Sequence, residues 1–535
     1  MIRVREIKVS VLNDTKNQLL ERLAKKISVP VSSILDSKIV KKSLDARDKE
    51  QIFWVYEVDV SLPNEEKILR KCSGVVPTPV EEYRFIASGK EKLKLKSPIV
   101  IVGSGPAGIF CAYLLAEAGY HPIVLERGEK IEDRVKTVEN FFETNQLDVH
   151  SNIQFGEGGA GTFSDGKLNT LVKDKEFRGK KVFEILVENG APPEIMYLSK
   201  PHIGTDILRK VMISMREKIL SFGGEIRYSS LVSDLIIEDG MIKGVFVNEK
   251  EKIPCSSLVL AIGHSARDTF LMLREKNLDM RQKNFAVGLR IEHPQKMINE
   301  SQYGDFSKYL PPASYKLTYQ SSNGRGVYTF CMCPGGYVVN ASSEMGRLAV
   351  NGMSNYHRDG ENANSAVVVT VSEKDYGEDL FAGMEFQRKL EEKAYQLGNG
   401  LIPIQLYGDF VREKTSEKLG GVIPNTMGWY SFANLNDLFS SDIVFSLKEA
   451  LPAFGKKIHG FDREDAILLG VESRTSSPIQ IVRDEDGMSN ISGIYPCGEG
   501  AGYAGGITTA AMDGIRVAEW LAKKYQPNNF KNSKV

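Results

Sequence analysis

The feature that most constrains this chain is the turn Gly103-Ser104-Gly105-Pro106-Ala107-Gly108, set between an apolar run and a helical one. Residues 99–102 read Ile-Val-Ile-Val, as in a short strand buried on both faces. Residues 106–118 read as an apolar helix with Pro106 in its first turn, where a missing N–H costs nothing. Residues 121–125 return as a second strand that ends at Glu126, at the spacing a dinucleotide-binding βαβ unit requires. Gly103 permits the tight turn, Gly105 lets the backbone approach a pyrophosphate, and Gly108 lets the helix pack close to the sheet. Ser104, Pro106 and Ala107 complete the turn and aim the helix N-terminus at the phosphates. The Glu126 carboxylate, with Arg127 beside it, is expected to accept hydrogen bonds from the adenosine ribose. An unneutralised acid there disfavours a 2′-phosphate, so FAD or NAD fits better than NADP.

The rest of the chain chooses between those two. Residues 493–500 form a strand running into Gly498-Glu499-Gly500, and Gly506-Ile507-Thr508 open a further helix. Reduction of a flavin places negative charge at N1/O2, which a helix N-terminus stabilises. This pattern is similar to the second flavin fingerprint of the glutathione-reductase-type FAD fold, in which an acid hydrogen-bonds the ribityl chain. That acid is usually Asp, and Glu499 is one methylene longer. A buried strand ending in Ala261-Ile262-Gly263 would meet the dinucleotide, with the main chain at Val232 against the adenine. The run 156–161, with Gly158 and Gly159, exposes backbone N–H groups, and Thr162, Ser164 and Lys167 add donors.

These pieces predict an α/β chain: a Rossmann-like FAD-binding domain, an inserted mixed α+β substrate domain and a small N-terminal α/β domain. The expected boundaries are 1–95 for the N-terminal domain, 96–284 with 471–525 for the FAD domain, and 285–470 for the insertion. Residues 88–96 read as a linker and 526–535 as a flexible tail. Within the FAD domain, a helix is expected at 205–221 and a β-meander at 225–228, 232–237 and 242–247.

Bulk numbers exclude several classes. Lys+Arg and Asp+Glu are both 69 in 535 residues, so no whole-protein basic field invites nucleic acid or an anionic membrane. The N-terminus lacks the apolar core of a signal peptide, and the apolar stretch 98–125 is broken by Gly-Pro-Gly, Glu117 and Gly119. Six Cys form no C-x-x-C pair and seven His are dispersed, so a cytoplasmic protein with neither a disulfide framework nor a metal site is expected.

The runs 155–168, Lys200-Pro201-His202-Ile203-Gly204-Thr205-Asp206, 261–268, Phe330-Cys331-Met332-Cys333-Pro334-Gly335-Gly336 and Asn351-Gly352-Met353-Ser354 are distinctive. Together they resemble the bacterial family of NAD(FAD)-utilizing dehydrogenases, or uncharacterised FAD-dependent proteins, over nearly the whole chain. The resemblance implies noncovalent FAD and use of a pyridine nucleotide. No second such glycine turn is visible, so NAD(P)H would have to bind transiently at the flavin face. Catalytic residues stay open. His202 and His264 are candidates for proton relay, and Arg290, Glu292 and His293 either line a cleft or form a surface ion network. Cys331 and Cys333, placed to share one face of a strand, read as buried structural thiols, and Cys497 as a small apolar filler. Three readings follow: a reductase or dehydrogenase of a small organic molecule, a flavin monooxygenase, or a flavoprotein that binds RNA or protein through residues 1–95, with its Lys25-Lys26 and Lys41-Lys42 clusters.

Overall fold

A computed structural model describes residues 1–86, 93–170 and 172–527. Residues 88–92 of the expected linker and 528–535 of the expected tail lie outside them. Gln526, read as the start of the tail, instead continues a strand, Tyr525–Gln526, that pairs in parallel with Leu93–Lys94.

The chain opens with β1 (Ile2–Ser10), α1 (Lys16–Ile27), β2 (Asp36–Asp45), β3 (Phe53–Ser61), α2 (Glu65–Lys71) and β4 (Val75–Pro77). They form an antiparallel sheet in the order β2-β3-β1-β4, the split βαβ arrangement. Thr15 caps α1 by accepting from Gln18 N–H, and Lys25 and Lys26 lie in its last turn, where cations suit the helix dipole. This unit has its own core around Val4, Leu23, Val58 and Val60. Its loop residues Val11 and Ile52 nevertheless join the core of the inserted unit. Lys42 exchanges main-chain bonds with Tyr197 and Ser199.

Next come β5 (Ile99–Val102), α3 (Pro106–Glu117), β6 (Ile123–Leu125), α4 (Thr205–Ser221) and β7 (Glu225–Arg227). A meander of β8 (Val232–Glu238), β9 (Met241–Val247) and β10 (Glu251–Pro254) leads to β11 (Ser257–Leu260). After the insertion, β22 (Ile494–Pro496) and α7 (Ile507–Lys524) return to the same unit. The sheet order is β22-β11-β5-β6-β7, all parallel. In chain order that is 5-4-1-2-3, the doubly wound pattern, with its switch point between β5 and β11. Every residue of β5 is buried: Ile99 and Ile101 share a core with α3 and α7, and Val100 and Val102 share one with the meander.

The insertion contributes β12 (Phe285–Pro294), β13 (Thr318–Gln320), β14 (Gly326–Cys333), β15 (Tyr337–Asn340), β16 (Val350–Met353) and β17 (Asn362–Val371). It continues with α5 (Ala382–Leu397), β18 (Ile402–Leu406), β19 (Thr426–Met427), β20 (Tyr430–Phe432), α6 (Ser441–Gly455) and β21 (Ile467–Glu472). A large mixed sheet runs β13-β14-β17-β12-β21-β18-β20, and a small one β16-β15-β19. The two lobes are joined by a buried ionic hub. Glu391 of α5, fully buried, accepts from Arg267 after β11 and from Arg474 after β21. Among the described residues, no helix is long and apolar enough to cross a membrane.

Candidate functional site

The turn after β5 sits at the switch point of the sheet. Gly103 has φ +99°, and a Cβ there would collide with the main-chain oxygen of Ala261 at the end of β11. A Cβ on Gly108 would strike the carbonyl of Gly103, and one on Gly514 of α7 would strike that of Ala107. These three glycines let strand, turn and two helices approach as bare backbone. Gly105 is the N-cap of α3, which has no capping side chain and no acid in its first turn. Its leading N–H groups are therefore open to an anion. Gly105 also faces Gly159 of the glycine run, where a Cβ would lie 3.0 Å from the Gly105 Cα.

The ribose contacts expected of Glu126 are taken by the protein. Its side chain is 5% exposed, one oxygen accepting from Ser104 N–H and Oγ at 2.9 and 2.8 Å, the other from Gly128 and Gly156 N–H at 3.0 Å each. A carboxylate has about four lone-pair sites, so none remains for a sugar. Glu126 ties the phosphate turn to the glycine run instead. Arg127 forks onto Asp268, bonds Thr269, and lies over the Phe155 ring at 4.3 Å.

The glycine run is ordered by a residue that the motifs do not point to. Arg134, with 0% exposure on the helix Ile131–Thr144, donates to the carbonyls of Asn152, Ile153, Glu157 and Gly159 at 2.6 to 3.0 Å. Burial pushes its guanidinium down to about 9, against the pull of Glu126 and other acids. Gly158, at φ +79°, donates its N–H to Ser104 O, and Thr162 is fully buried with its hydroxyl on Glu157 O. An arginine at a helical position carries no sequence signal for this role, because its partners lie in the next loop.

The second glycine turn is held by an acid that the sequence pattern also leaves unmarked. Asp513 of α7 accepts from Gly498 N–H at 2.8 Å and pairs with Arg483 at 2.7 Å. Glu499 lies 3.1 Å from His264 Nδ1, and neither ring nitrogen of His264 has a hydrogen-bond partner among the described residues. A Cβ on Gly500 would meet Gly263, so the turns after β11 and β22 touch. A Cβ added at Gly263, Gly505 or Gly506 would meet no described atom within 4 Å. Gly506 is the N-cap of α7, which again has no capping side chain and no first-turn acid. Ile507 follows it, packed against Gly161, and Thr508 fixes the helix start by donating to Leu168 O at 2.7 Å. Val232 begins the meander, buried, with its partner Val247.

Across from α7, Lys167 lies 3.0 Å from Asp165 and 3.9 Å from Cys333 Sγ. Asp165 also takes a two-pronged contact from Arg358 and the hydroxyl of Ser354. Burial raises the Asp165 carboxyl, but Lys167 and Arg358 outweigh it and hold it down at about 2. His202 stacks on Tyr356 and uses Nε2–H to donate to the Tyr356 carbonyl at 2.9 Å; burial keeps it neutral. The expected pairing of cysteines on one strand face fails. A bulge follows Phe330, Cys331 has φ +43° and is exposed, and Cys333 alone is buried. Cys497 is fully buried. Arg290, Glu292 and His293 do not form a surface network: all three are buried at 0% exposure within β12. Arg290 pairs with Glu472 at 3.0 Å and donates to Asn364 and to the Cys331 carbonyl.

Residues 284–475 match the family described as FAD-dependent protein, C-terminal domain-like, and residues 101–157 match an NAD(P)-binding Rossmann-like domain. Residues 1–61 match a domain of unknown function. An uncharacterised protein of Clostridium beijerinckii is 48% identical over 533 residues, 98% of this chain and 99% of that one. This chain belongs to that family of FAD-dependent oxidoreductases. The oxidoreductase also shares 33% identity over 90 residues with an L-amino-acid oxidase of Bothrops jararacussu, 17% of this chain and 18% of the oxidase. Among solved structures, L-proline dehydrogenase from P. horikoshii aligns over 81% of this chain and 96% of that one at 15% identity. Its TM-score is 0.34, too low for the likeness to bear on the reaction. The site of the oxidoreductase fits FAD: the two uncapped helix N-termini suit its diphosphate and flavin, and the open space at Gly263, Gly505 and Gly506 is a cradle that side chains would fill.

Proposed function

We propose that this oxidoreductase holds FAD noncovalently, in the manner of the glutathione-reductase-type fold, and oxidises or reduces a small organic molecule beside the Cys331 bulge. The observation that carries the reading is the pair of uncapped helix N-termini, α3 and α7, both set against the glycine run, at Gly159 and Gly161. When bound, FAD supplies hydride transfer at its N5. The chain's own work is to bind and orient. The first-turn N–H groups of α3 bind the diphosphate, and those of α7 favour negative charge at the N1/O2 edge. Arg134 keeps the glycine run folded against the phosphate turn. Desolvation raises the buried Cys333 thiol, although Lys167 pulls it down, so Cys333 stays protonated at neutral pH and is a poor nucleophile.

The electron donor we propose is NAD(P)H, meeting the flavin face transiently. Anaerobic mixing with NADH and NADPH tests it: rapid bleaching of the flavin absorbance by one of them is the expected result, and no bleaching by either would refute the donor. We propose a small-molecule partner in the cytoplasm, and the N-terminal sheet counts against a nucleic-acid partner. Several of its cations are paired with acids: Arg3 with Asp59 and Glu81, Lys8 with Asp45, Lys42 with Asp14, and Arg5 and Lys41 with the shared Glu57.

A further inference from the structure

Among the described residues, the wall facing α7 holds three cations, and one of the acids that meet them is only part ionised at neutral pH. Its charged groups are Lys167, Arg358 and Arg290 against Asp165, Glu472 and, beside Arg290, Glu292, whose carboxyl burial pushes up to about 7. Burial lowers the nearby His202 and raises the Cys333 thiol, so neither adds a charge at neutral pH. A net charge in such a place is costly unless an anion meets it.

Of these three described cations, only one is free to meet an anion. Arg290 is wholly buried, with its guanidinium on Glu472, Asn364, Asn351 and the Cys331 carbonyl. Arg358 is committed to both oxygens of Asp165, with its side chain 12% accessible. Lys167 keeps 30% of its side chain accessible. Its ammonium has three donors, one toward Asp165 and a weak one toward Cys333, which leaves one without a partner among the described residues. Burial opposes its charge, but Asp165 more than compensates, so Lys167 stays cationic. Beside it, Cys331 is exposed and presents a neutral, polarisable surface. Lys167 also lies next to Leu168, whose carbonyl Thr508 binds at the start of α7.

We infer that the substrate is a small carboxylate, its anionic head held by the Lys167 ammonium and its body lying along the Cys331 bulge. This rests on the proposed reading that the flavin lies between α7 and this wall. Lys167 acts here as a substrate-binding residue; no bond forms or breaks at it.

The test uses the FAD-loaded protein at constant pH and ionic strength. Acetate, pyruvate and benzoate, each against its neutral amide, are titrated while the visible flavin spectrum is recorded. At least one carboxylate should perturb the spectrum saturably while its amide does not. Compared at equal FAD occupancy, Lys167→Met should weaken that carboxylate tenfold or more, and Lys167→Arg should retain part of the affinity. If Lys167→Met fails to fold, the contrast of carboxylate with amide on the wild-type protein still decides. A loaded protein indifferent to all three carboxylates, or one that binds acid and amide equally, overturns the inference. So does an unchanged affinity in a folded Lys167→Met. A loaded protein blind to carboxylates but with weaker flavin–sulfite adduct formation in Lys167→Met would assign the charge to the reduced flavin instead, and also overturns it. A chain that takes up no FAD would overturn the underlying reading, a result distinguishable from the others.

Discussion

Arg134 commits its guanidinium to main-chain carbonyls at 152–159, and so the shape of the glycine run depends on one side chain. Lysine keeps the charge but not the planar fork that reaches several carbonyls at once. Arg134→Lys should weaken FAD binding by tenfold or more, about 1–3 kcal/mol; a fluorescence titration with FAD that gives wild-type affinity would refute this role. Two neighbours in β12 make a second prediction. Burial pushes Glu292 up to about 7 from 4.5, against hydrogen bonds from Asn425 and Asn362, and pushes His293 down to about 4 from 6.5. The raised Glu292 contributes stability that is fully present below pH 4.5 and is lost as pH rises through 7. The lowered His293 contributes stability present above pH 6.5 and lost as pH falls through 4. Between those limits the two oppose each other, each on the order of 3 kcal/mol at most. Glu292→Gln should therefore leave a stability that climbs more steeply from pH 4 to 6.5 than wild type. Denaturant midpoints running parallel to wild type over that range would contradict the assignment.

At the scale of elements, α7 meets α3 backbone to backbone because Gly514 leaves no side chain against Ala107, and α3 closes on its own turn because Gly108 leaves none against Gly103. Gly108→Val should destabilise the protein by about 1–3 kcal/mol through overpacking and abolish FAD retention, seen as a colourless purified protein. These elements were legible from the chain. The four β-branched residues of β5, the glycine spacing and the period of 205–221 each depend on neighbours a few positions away. What was illegible depends on partners far along the chain. The bulge that separates Cys331 from Cys333 forms where β14 loses register with β17. Arg483 reaches Asp513 from a loop thirty residues earlier. Glu126 was legible as the acid of the motif, but its protein donors at 104, 128 and 156 were not.

For the molecule as a whole, the two lobes form one site only if they keep their relative position, and Glu391 is where they are joined. With Glu391→Leu, Arg267 and Arg474 lose their shared acid in a buried setting, at a cost of about 3–5 kcal/mol. A lower thermal midpoint accompanied by weaker FAD binding is expected; a midpoint equal to wild type would show that the lobes are held elsewhere. The central claim is that the glycine-lined space before α7 is where FAD sits, and it has a direct test. At Gly505 and Gly506 a Cβ meets no described atom within 4 Å, so Gly505→Val and Gly506→Val should leave the apoprotein folded and as stable as wild type. FAD binding, followed by titration of the apoprotein and the flavin absorbance, should fall at least tenfold in both variants. Wild-type FAD affinity in both folded variants would contradict the account.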